Sequence, residues 1–500
     1  MKVSPKIFRE YDIRGVVGED LTKDAARLIG WAFAKYLLEL NEVEASGAGN
    51  LAIAVGRDVR LHSSMLANSL IDGITSTGIK VIDVGVCPTP LVYFSLYNTD
   101  VDGGVMITGS HNPPEFNGFK LCAGKEALHG ESIQVIREII EKEEPGPDEK
   151  NKLRMFEDVE YVEIIPFYLA YLKEQFVFPY QQIQQPIKIV VDSGNGTAGV
   201  IAPIILREMG CEVIELYSKP DGNFPNHHPD PTIPKNLEDL IKTVKEKNAD
   251  LGVAYDGDAD RIGIVDENGE IIWGDRLMVI YARDILKEWP DAAVVSEVKA
   301  SQVLYDEIAK AGGNPIMWKA GHSLIKAKMR EVEAVLGGEV SGHIFFADRF
   351  YGYDDAIYAT CRLIEILKRE RVSGIRETGE KGQKGEVRRG VSFLLEDVPA
   401  TYTTPEIRVP CPDEIKFQVV EKIQDMFSSG SVTANQKQLP VREVITVDGA
   451  RVVFEHGWGL IRPSNTQPVL VLRFEADSEQ NLAEIRTYME GVLKEVTGNG

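Results

Sequence analysis

Short apolar runs alternate with stretches of helical periodicity along the first three-quarters of the chain. Leu51-Ala52-Ile53-Ala54-Val55 reads as a buried strand, residues 63–76 as an amphipathic helix, and Lys80-Val81-Ile82-Asp83-Val84 as a second strand, which is βαβ order. The order returns at residues 187–192, a helix around 200–209 and residues 211–216, then at 292–296 with a helix near 302–311. Residues 355–369 form a longer amphipathic helix. Three such units predict three similar α/β domains with mixed sheets. The tail differs: residues 406–409 and 469–474 read as strands and 417–426 and 481–496 as helices, the last capped by Ser478 and Asn481, so an α+β domain is expected. Charged residues 141–152, with two prolines and a glycine, suit a link between domains. Residues 371–389 are charged and weakly patterned, as in a linker or surface insertion.

The chain has 500 residues, more than one core organises, and the pattern breaks give four domains at 1–155, 156–268, 269–382 and 383–500. Its formal charge of −22 argues against nucleic acid and anionic membranes as partners. An anionic substrate would therefore need arginine, lysine and histidine gathered locally. Five scattered cysteines without a C-x-x-C pair, a start lacking an apolar signal core and the absence of a bilayer-length apolar run fit a reducing cytosol.

Candidate chemistry lies in loops. Gly104-Val105-Met106-Ile107 runs into Thr108-Gly109-Ser110-His111-Asn112-Pro113-Pro114, which puts the Ser110 hydroxyl on a turn stiffened by two prolines at a strand's carboxyl end. Asp256, Asp258 and Asp260 alternate on a short loop and would repel one another without a cation, and all-oxygen donors call for Mg²⁺ or Ca²⁺. An EF-hand does not fit, because Arg261 stands at the glycine position and the flanks read as strands. As exposed loop carboxylates they should add little to stability without metal. Gly194-Asn195-Gly196-Thr197-Ala198-Gly199 spells a dinucleotide fingerprint, with Glu215 about 20 residues on, yet the same glycines also serve to pack helix on strand. Glu339, Ser341 and His343 alternate, so in an extended loop they share one face and can meet vicinal sugar hydroxyls; a cluster of ordinary polar loop residues is the competing reading. Arg462, Ser464, Asn465 and Thr466 combine one guanidinium with neutral donors, a mix that binds a phosphate dianion.

These loops, with Phe8-Arg9-Glu10-Tyr11-Asp12-Ile13-Arg14-Gly15 at the start, resemble the motifs of the α-D-phosphohexomutases in family order and span nearly the whole chain. Within that family, Lys299, residues 321–326 and residues 457–462 are most similar to the bacterial phosphomannomutase/phosphoglucomutase group. The resemblance implies four domains around one central cleft and reversible phosphate transfer between O1 and O6 of a hexose phosphate. It assigns the phosphoryl carrier to Ser110 and Mg²⁺ to Asp256, Asp258, Asp260 and Ser110. Arg14, His111, Lys120 and His343 become the proton-handling and phosphate-positioning groups. Tyr11, Arg261, Lys299, His322, Glu339, Ser341, His343, Arg462, Ser464, Asn465 and Thr466 become substrate contacts. Hexose 1,6-bisphosphate is expected as activator. Phosphoglucosamine mutases are the near rival, but usually carry glycine in place of Asn465 and lack the glutamate matching Glu339. A metal-dependent sugar-phosphate phosphatase and a non-catalytic nucleotide-binding protein are the alternatives from other classes.

Overall fold

The computed structural model describes residues 3–146, 149, 155–177, 186–377, 390–430, 432, 438–464 and 467–498. Among them the chain forms four sheets, and the first three repeat one topology. In the first, Ala52–Arg57 lies between parallel neighbours Lys80–Val86 and Gly103–Ile107, and Phe116–Ala123 adds antiparallel to the latter. Lys188–Asp192 takes the central place in the second, flanked by Glu212–Leu216 and Leu251–Tyr255, with Ile262–Asp266 antiparallel. In the third, Ala293–Glu297 is flanked by Asn314–Trp318 and Leu336–Gly338, with Ile344–Phe346 antiparallel. Gly103–Ile107 and Leu251–Tyr255 are buried along their whole length, because helices cover both faces of these sheets; this is why they read as continuous apolar runs. The fourth sheet is antiparallel around Gly457–Pro463 and Val469–Ala476, backed by helices Asp413–Ser428 and Glu479–Thr497.

The first three domains share apolar packing. Phe94 on helix Thr89–Asn98 meets Tyr168 and Tyr171 on helix Ile164–Phe176, and Tyr171 meets Phe350 of the third unit. The C-terminal domain has its own core and docks through Arg451, whose buried guanidinium donates to Val298 O at 2.6 Å and Ala300 O at 2.8 Å and stacks on Trp458.

Several local expectations change. Helix Ala356–Glu377 continues past 369 into the stretch expected to be linker, because residues 366–368 still bury one face against the core; residues 378–389 lie outside the described residues. Helix Glu131–Lys142 likewise occupies the start of the expected link at 141–152. Val159–Tyr161 extends the first sheet beyond residue 155, and Ile271–Ile272 extends the second beyond 268. Edge strands this short carry no readable period.

Candidate active site

Ser110 lies three residues past the end of strand Gly103–Ile107 with φ +49°, a left-handed conformation that costs a residue with a side chain about 1–3 kcal/mol. Local bonds hold it there. Ser110 N donates to Thr108 Oγ1 at 2.8 Å, and Asn112 N closes the turn onto Gly109 O at 2.9 Å. Arg60, which sequence reading missed, is buried beneath the loop. Its guanidinium donates to Pro113 O, Phe116 O, Ser110 O and Asn112 O, and Asp58 Oδ2 lies 3.2 Å from its Nε. The available signal was its place just past the carboxyl end of a central parallel strand. Arg14 reaches the loop from the N-terminal strand, donating to Asn112 Oδ1 at 2.7 Å, and His228 of the second domain donates to His111 O.

The Ser110 hydroxyl points across a domain boundary. Its Oγ donates to Asp256 Oδ2 at 3.0 Å and lies 3.0 Å from His111 Nδ1. Burial, and then the Arg261 and Arg14 charges, hold His111 well below the usual histidine range, so its imidazole is neutral. The approach needs glycines: a Cβ on Gly257 would stand 2.6 Å from Ser110 O, and one on Gly196 2.7 Å from Gly257 O. The dinucleotide-like glycine run thus spaces one loop against the next. Glu215, where a ribose-binding acid would sit, is paired with Arg207 at 2.5 Å.

Asp256, Asp258 and Asp260 are fully buried rather than exposed, because the serine loop and helix Thr89–Asn98 of the first domain roof the loop that carries them. Their carboxylate oxygens gather within 4.8 Å of one another. Lys120 Nζ reaches in from the first sheet to Asp258 Oδ2 at 2.8 Å and to Asp260 Oδ2. Burial opposes that charge, but Asp258 and Asp260 outweigh it and hold the ammonium above the usual lysine range. Burial, with Asp260 and Asp258 beside it, pushes Asp256 well above the usual carboxylate range. Asp258 Oδ1 and Asp260 Oδ1 are buried without a hydrogen bond. An all-oxygen cluster with acceptors left over, where one acid is driven toward its neutral form, fits a hard divalent cation. Thr89, also missed, donates to Asp258 Oδ2 and supports that carboxylate.

The sugar-loop residues are not extended. Glu339 N donates to His343 O at 2.9 Å and Gly342 N to Glu339 O at 3.0 Å, forming a tight turn with Gly342 at φ +95°. Glu339 and His343 thus stand opposite each other at the closed end of the hairpin Leu336–Gly338/Ile344–Phe346, and Ser341 lies on the turn between them. Glu339 Oε1 accepts from Gly321 N at 2.7 Å, Ser341 is half-buried, and His343 lies buried between two other partners. Arg261 Nε donates to His343 Nε2 at 2.9 Å, while Nδ1 stands 2.9 Å from Asp354 Oδ2. That arrangement places the imidazole proton on Nδ1 and the lone pair on Nε2. Asp354, unmarked in the sequence, also binds Lys326 Nζ at 2.9 Å. Burial works against its charge, but Lys326 and His343 outweigh it and keep the carboxyl well below the usual range. His322 stacks on His343 with ring centroids 5.2 Å apart.

A third group joins the N-terminal, third and C-terminal domains. Tyr11 OH donates to Ala320 O at 2.9 Å, Ala320 N donates to Asp448 Oδ2 at 3.0 Å, and Arg462 Nε lies 3.0 Å from that same oxygen. Lys299 Nζ stands 3.3 Å from Glu297 Oε2 and 3.5 Å from Glu406 Oε2. Ser464 Oγ accepts from Gln467 N at 3.2 Å. Asn465 and Thr466 lie outside the described residues.

Four family models, described as phosphoglucomutase/phosphomannomutase α/β/α domains I, II and III and C-terminal domain, match residues 5–146, 166–269, 273–380 and 406–492. A protein named phosphomannomutase/phosphoglucomutase from Pseudomonas aeruginosa is 43% identical over 98% of this chain and 96% of its own. One named phosphoglucomutase from Neisseria gonorrhoeae is 39% identical over 98% and 97%. Among solved structures, a phosphoglucomutase/phosphomannomutase family protein from Burkholderia thailandensis superposes with a TM-score of 0.83 at 37% identity, covering 99% of this chain and 98% of that one.

Proposed function

Since the chain belongs to the phosphoglucomutase/phosphomannomutase family, the α-D-phosphohexomutases, and is a hexose-phosphate mutase, we propose that it works through phospho-Ser110 and a hexose 1,6-bisphosphate. The observation that carries this reading is the Ser110 hydroxyl, buried on a strained turn and 3.0 Å from Asp256. The substrates are glucose and mannose phosphates, Mg²⁺ is the metal, and the 1,6-bisphosphate primes the serine. Four free, buried cysteines in the first three domains and a fifth in the last support a reducing compartment, the cytosol. Among the described residues no helix is long and apolar enough to cross a membrane.

The attacking hydroxyl of the hexose, at O6 or O1, forms a bond to phosphorus as the Ser110 Oγ–P bond breaks. Its proton passes to His343, whose Nε2 lone pair becomes free when substrate draws Arg261 away. Asp354 stabilises the imidazolium that results. Lys120 and Arg14 balance charge on the departing serine oxygen. The bisphosphate then turns, and its other phosphoryl group returns to Ser110 by the reverse step. Asp256, Asp258 and Asp260, with an oxygen on Ser110, would hold Mg²⁺, which when bound neutralises charge on the transferring phosphoryl group. Arg462, Lys299 and Ser464, together with Asn465 and Thr466, take the phosphate that is not reacting. Glu339, Ser341 and His322 meet the sugar.

The test mixes protein, Mg²⁺, a trace of 1,6-bisphosphate and glucose or mannose 1-phosphate, and follows the 6-phosphate. Ser110→Ala should bind substrate without turnover, and intact mass should show phosphate on the parent only. Wild-type turnover by Ser110→Ala would end the covalent mechanism. Release of inorganic phosphate in place of isomer would indicate a phosphatase, and preference for glucosamine 1-phosphate the amino-sugar mutase.

A further inference from the structure

Glu297 ends the central strand of the third sheet, at the carboxyl edge where such sheets present ligands. Its side chain is fully buried and joins two subsites. Oε1 accepts from Val340 N at 3.1 Å, inside the sugar turn, while Oε2 makes no hydrogen bond and stands 3.3 Å from Lys299 Nζ. Tyr305 OH, on helix Gln302–Lys310, fixes the backbone by donating to Glu297 O at 2.7 Å. The side chain therefore has little freedom to turn away from either partner.

The charges around it come from every neighbouring element. Lys299 follows on the same loop, and Glu339 sits on the turn after Leu336–Gly338. The C-terminal domain contributes Glu406, with Arg408 on its outer side, and Arg462 with Asp448. Four carboxylates thus surround Lys299 and Arg462, the two cations that face inward. A phosphate dianion settling between those cations would add two negative charges to a cluster already in acid excess. One carboxylate must yield its charge or affinity suffers, and the one farthest from water yields most easily.

We propose that Glu297 is a positioning residue that ties Lys299 to the sugar-turn backbone and takes up one proton from solvent when the substrate phosphate binds. The proposal rests on Lys299 and Arg462 forming the phosphate subsite. Burial, then Glu339, push Glu297 up to about 7 against the pull of Lys299 and Arg462, so it is charged in the free enzyme just above neutrality. Glu406 moves the opposite way: burial opposes its charge, but Lys299 and Arg408 hold it below its usual value. On protonation Oε2 gains the hydrogen, Oε1 keeps the Val340 bond, and Lys299 turns its full charge to the phosphate.

The experiment measures glucose 6-phosphate binding by calorimetry from pH 7 to pH 9 in two buffers of different ionisation enthalpy, using full-length Ser110→Ala to prevent turnover. The sugar phosphate's second ionisation lies near pH 6, so it stays a dianion over this range. With Glu297 present, binding should take up close to one proton at pH 8 and weaken by up to about tenfold per pH unit. Adding Glu297→Gln, which preserves the Val340 acceptor, should abolish the uptake, flatten the profile and bind more tightly than its parent at pH 8.5. Structural damage would weaken binding at every pH. Uptake and slope that survive in Glu297→Gln would overturn the proposal for Glu297 alone. Unchanged affinity in Lys299→Met would remove the phosphate subsite, and the proposal with it.

Discussion

Replacing Arg60 with alanine should slow turnover far more than it weakens substrate binding. Arg60 donates to Pro113 O at 2.6 Å, Phe116 O at 3.0 Å, Ser110 O at 2.8 Å and Asn112 O at 2.5 Å, so one planar group fixes the carbonyl of Ser110 and three carbonyls of the loop that follows it. Leaving a buried acceptor unsatisfied costs about 1–3 kcal/mol, and breaking a buried ion pair such as Arg60 with Asp58 about 3–5 kcal/mol. Holding Ser110 at φ +49° costs about 1–3 kcal/mol, so the clamp outweighs the strain, and without it the strain decides where the serine goes. A displacement of about 1 Å at a reacting atom lowers the rate by roughly 10²-fold, which is the expected fall in kcat, with KM little changed. Arg60→Lys should recover only part, since an ammonium can pair with Asp58 but cannot present a fork to the carbonyls. Free guanidinium added to Arg60→Ala should raise its rate. Amide exchange over residues 108–117 reads the loop directly, and a thermal melt shows whether the domain remains folded. A folded Arg60→Ala with wild-type kcat and unchanged exchange would refute the clamp.

Mg²⁺ should raise the melting temperature of the wild type but not of Asp258→Asn, whose affinity should drop by more than the about 10–100-fold lost with a supporting contact; an equal rise in both would mean the aspartates are not ligands. Arg462→Ala should raise KM by about 10–100-fold, the loss of a charge-assisted contact worth about 1.5–3 kcal/mol, with a smaller change in kcat; an unchanged KM would move the phosphate subsite elsewhere. Burial, then Lys326, hold His322 well below the usual histidine range, so below pH about 6.5 the unfolded chain binds a proton that the folded one refuses. Stability present above that pH should fall on acidification by up to about 1.4 kcal/mol per unit from this group, and His322→Asn should lessen the slope of urea midpoints between pH 7.5 and 5.5. An identical slope in that variant would show that folded His322 accepts the proton.

What could be read from the sequence was chemistry gathered on contiguous loops at strand ends. Residues 108–114 and 256–261 each bring a candidate nucleophile or candidate ligands together over a few positions, and the strands before them are apolar enough to be recognised. Arg60, Thr89 and Glu297 were missed because each acts on a loop far away in the chain, Arg60 on Ser110, Thr89 on Asp258 and Glu297 on Val340, while Asp354 and Asp448 lie nearer to His343 and Arg462 but on segments that carry no motif of their own. The same limit explains the errors. A loop of three aspartates taken alone faces water, and it is the first domain's roof, with His343 and Ala356 of the third domain, that buries it. The alternation of Glu339, Ser341 and His343 suggested an extended face, yet Gly342 at φ +95° closes the turn, a choice that alternation cannot report.

Charge runs through the site in alternation: Lys326 on Asp354, Asp354 on His343, His343 on Arg261, then the three aspartates and Lys120. Arg261 belongs to both ends of this row, since its backbone N donates to Asp256 Oδ1 at 3.1 Å while its side chain holds His343. On the proposed mechanism, negative charge placed on Ser110 would compete with His343 for the Arg261 guanidinium. In that mechanism, phosphorylating Ser110 would free the Nε2 lone pair of His343, the group proposed to accept the next proton. The proposed coupling is local and electrostatic, and it would give a reason for the arginine to follow the aspartates on one loop: there its backbone contacts the aspartate beside the serine while its side chain holds the histidine of another domain.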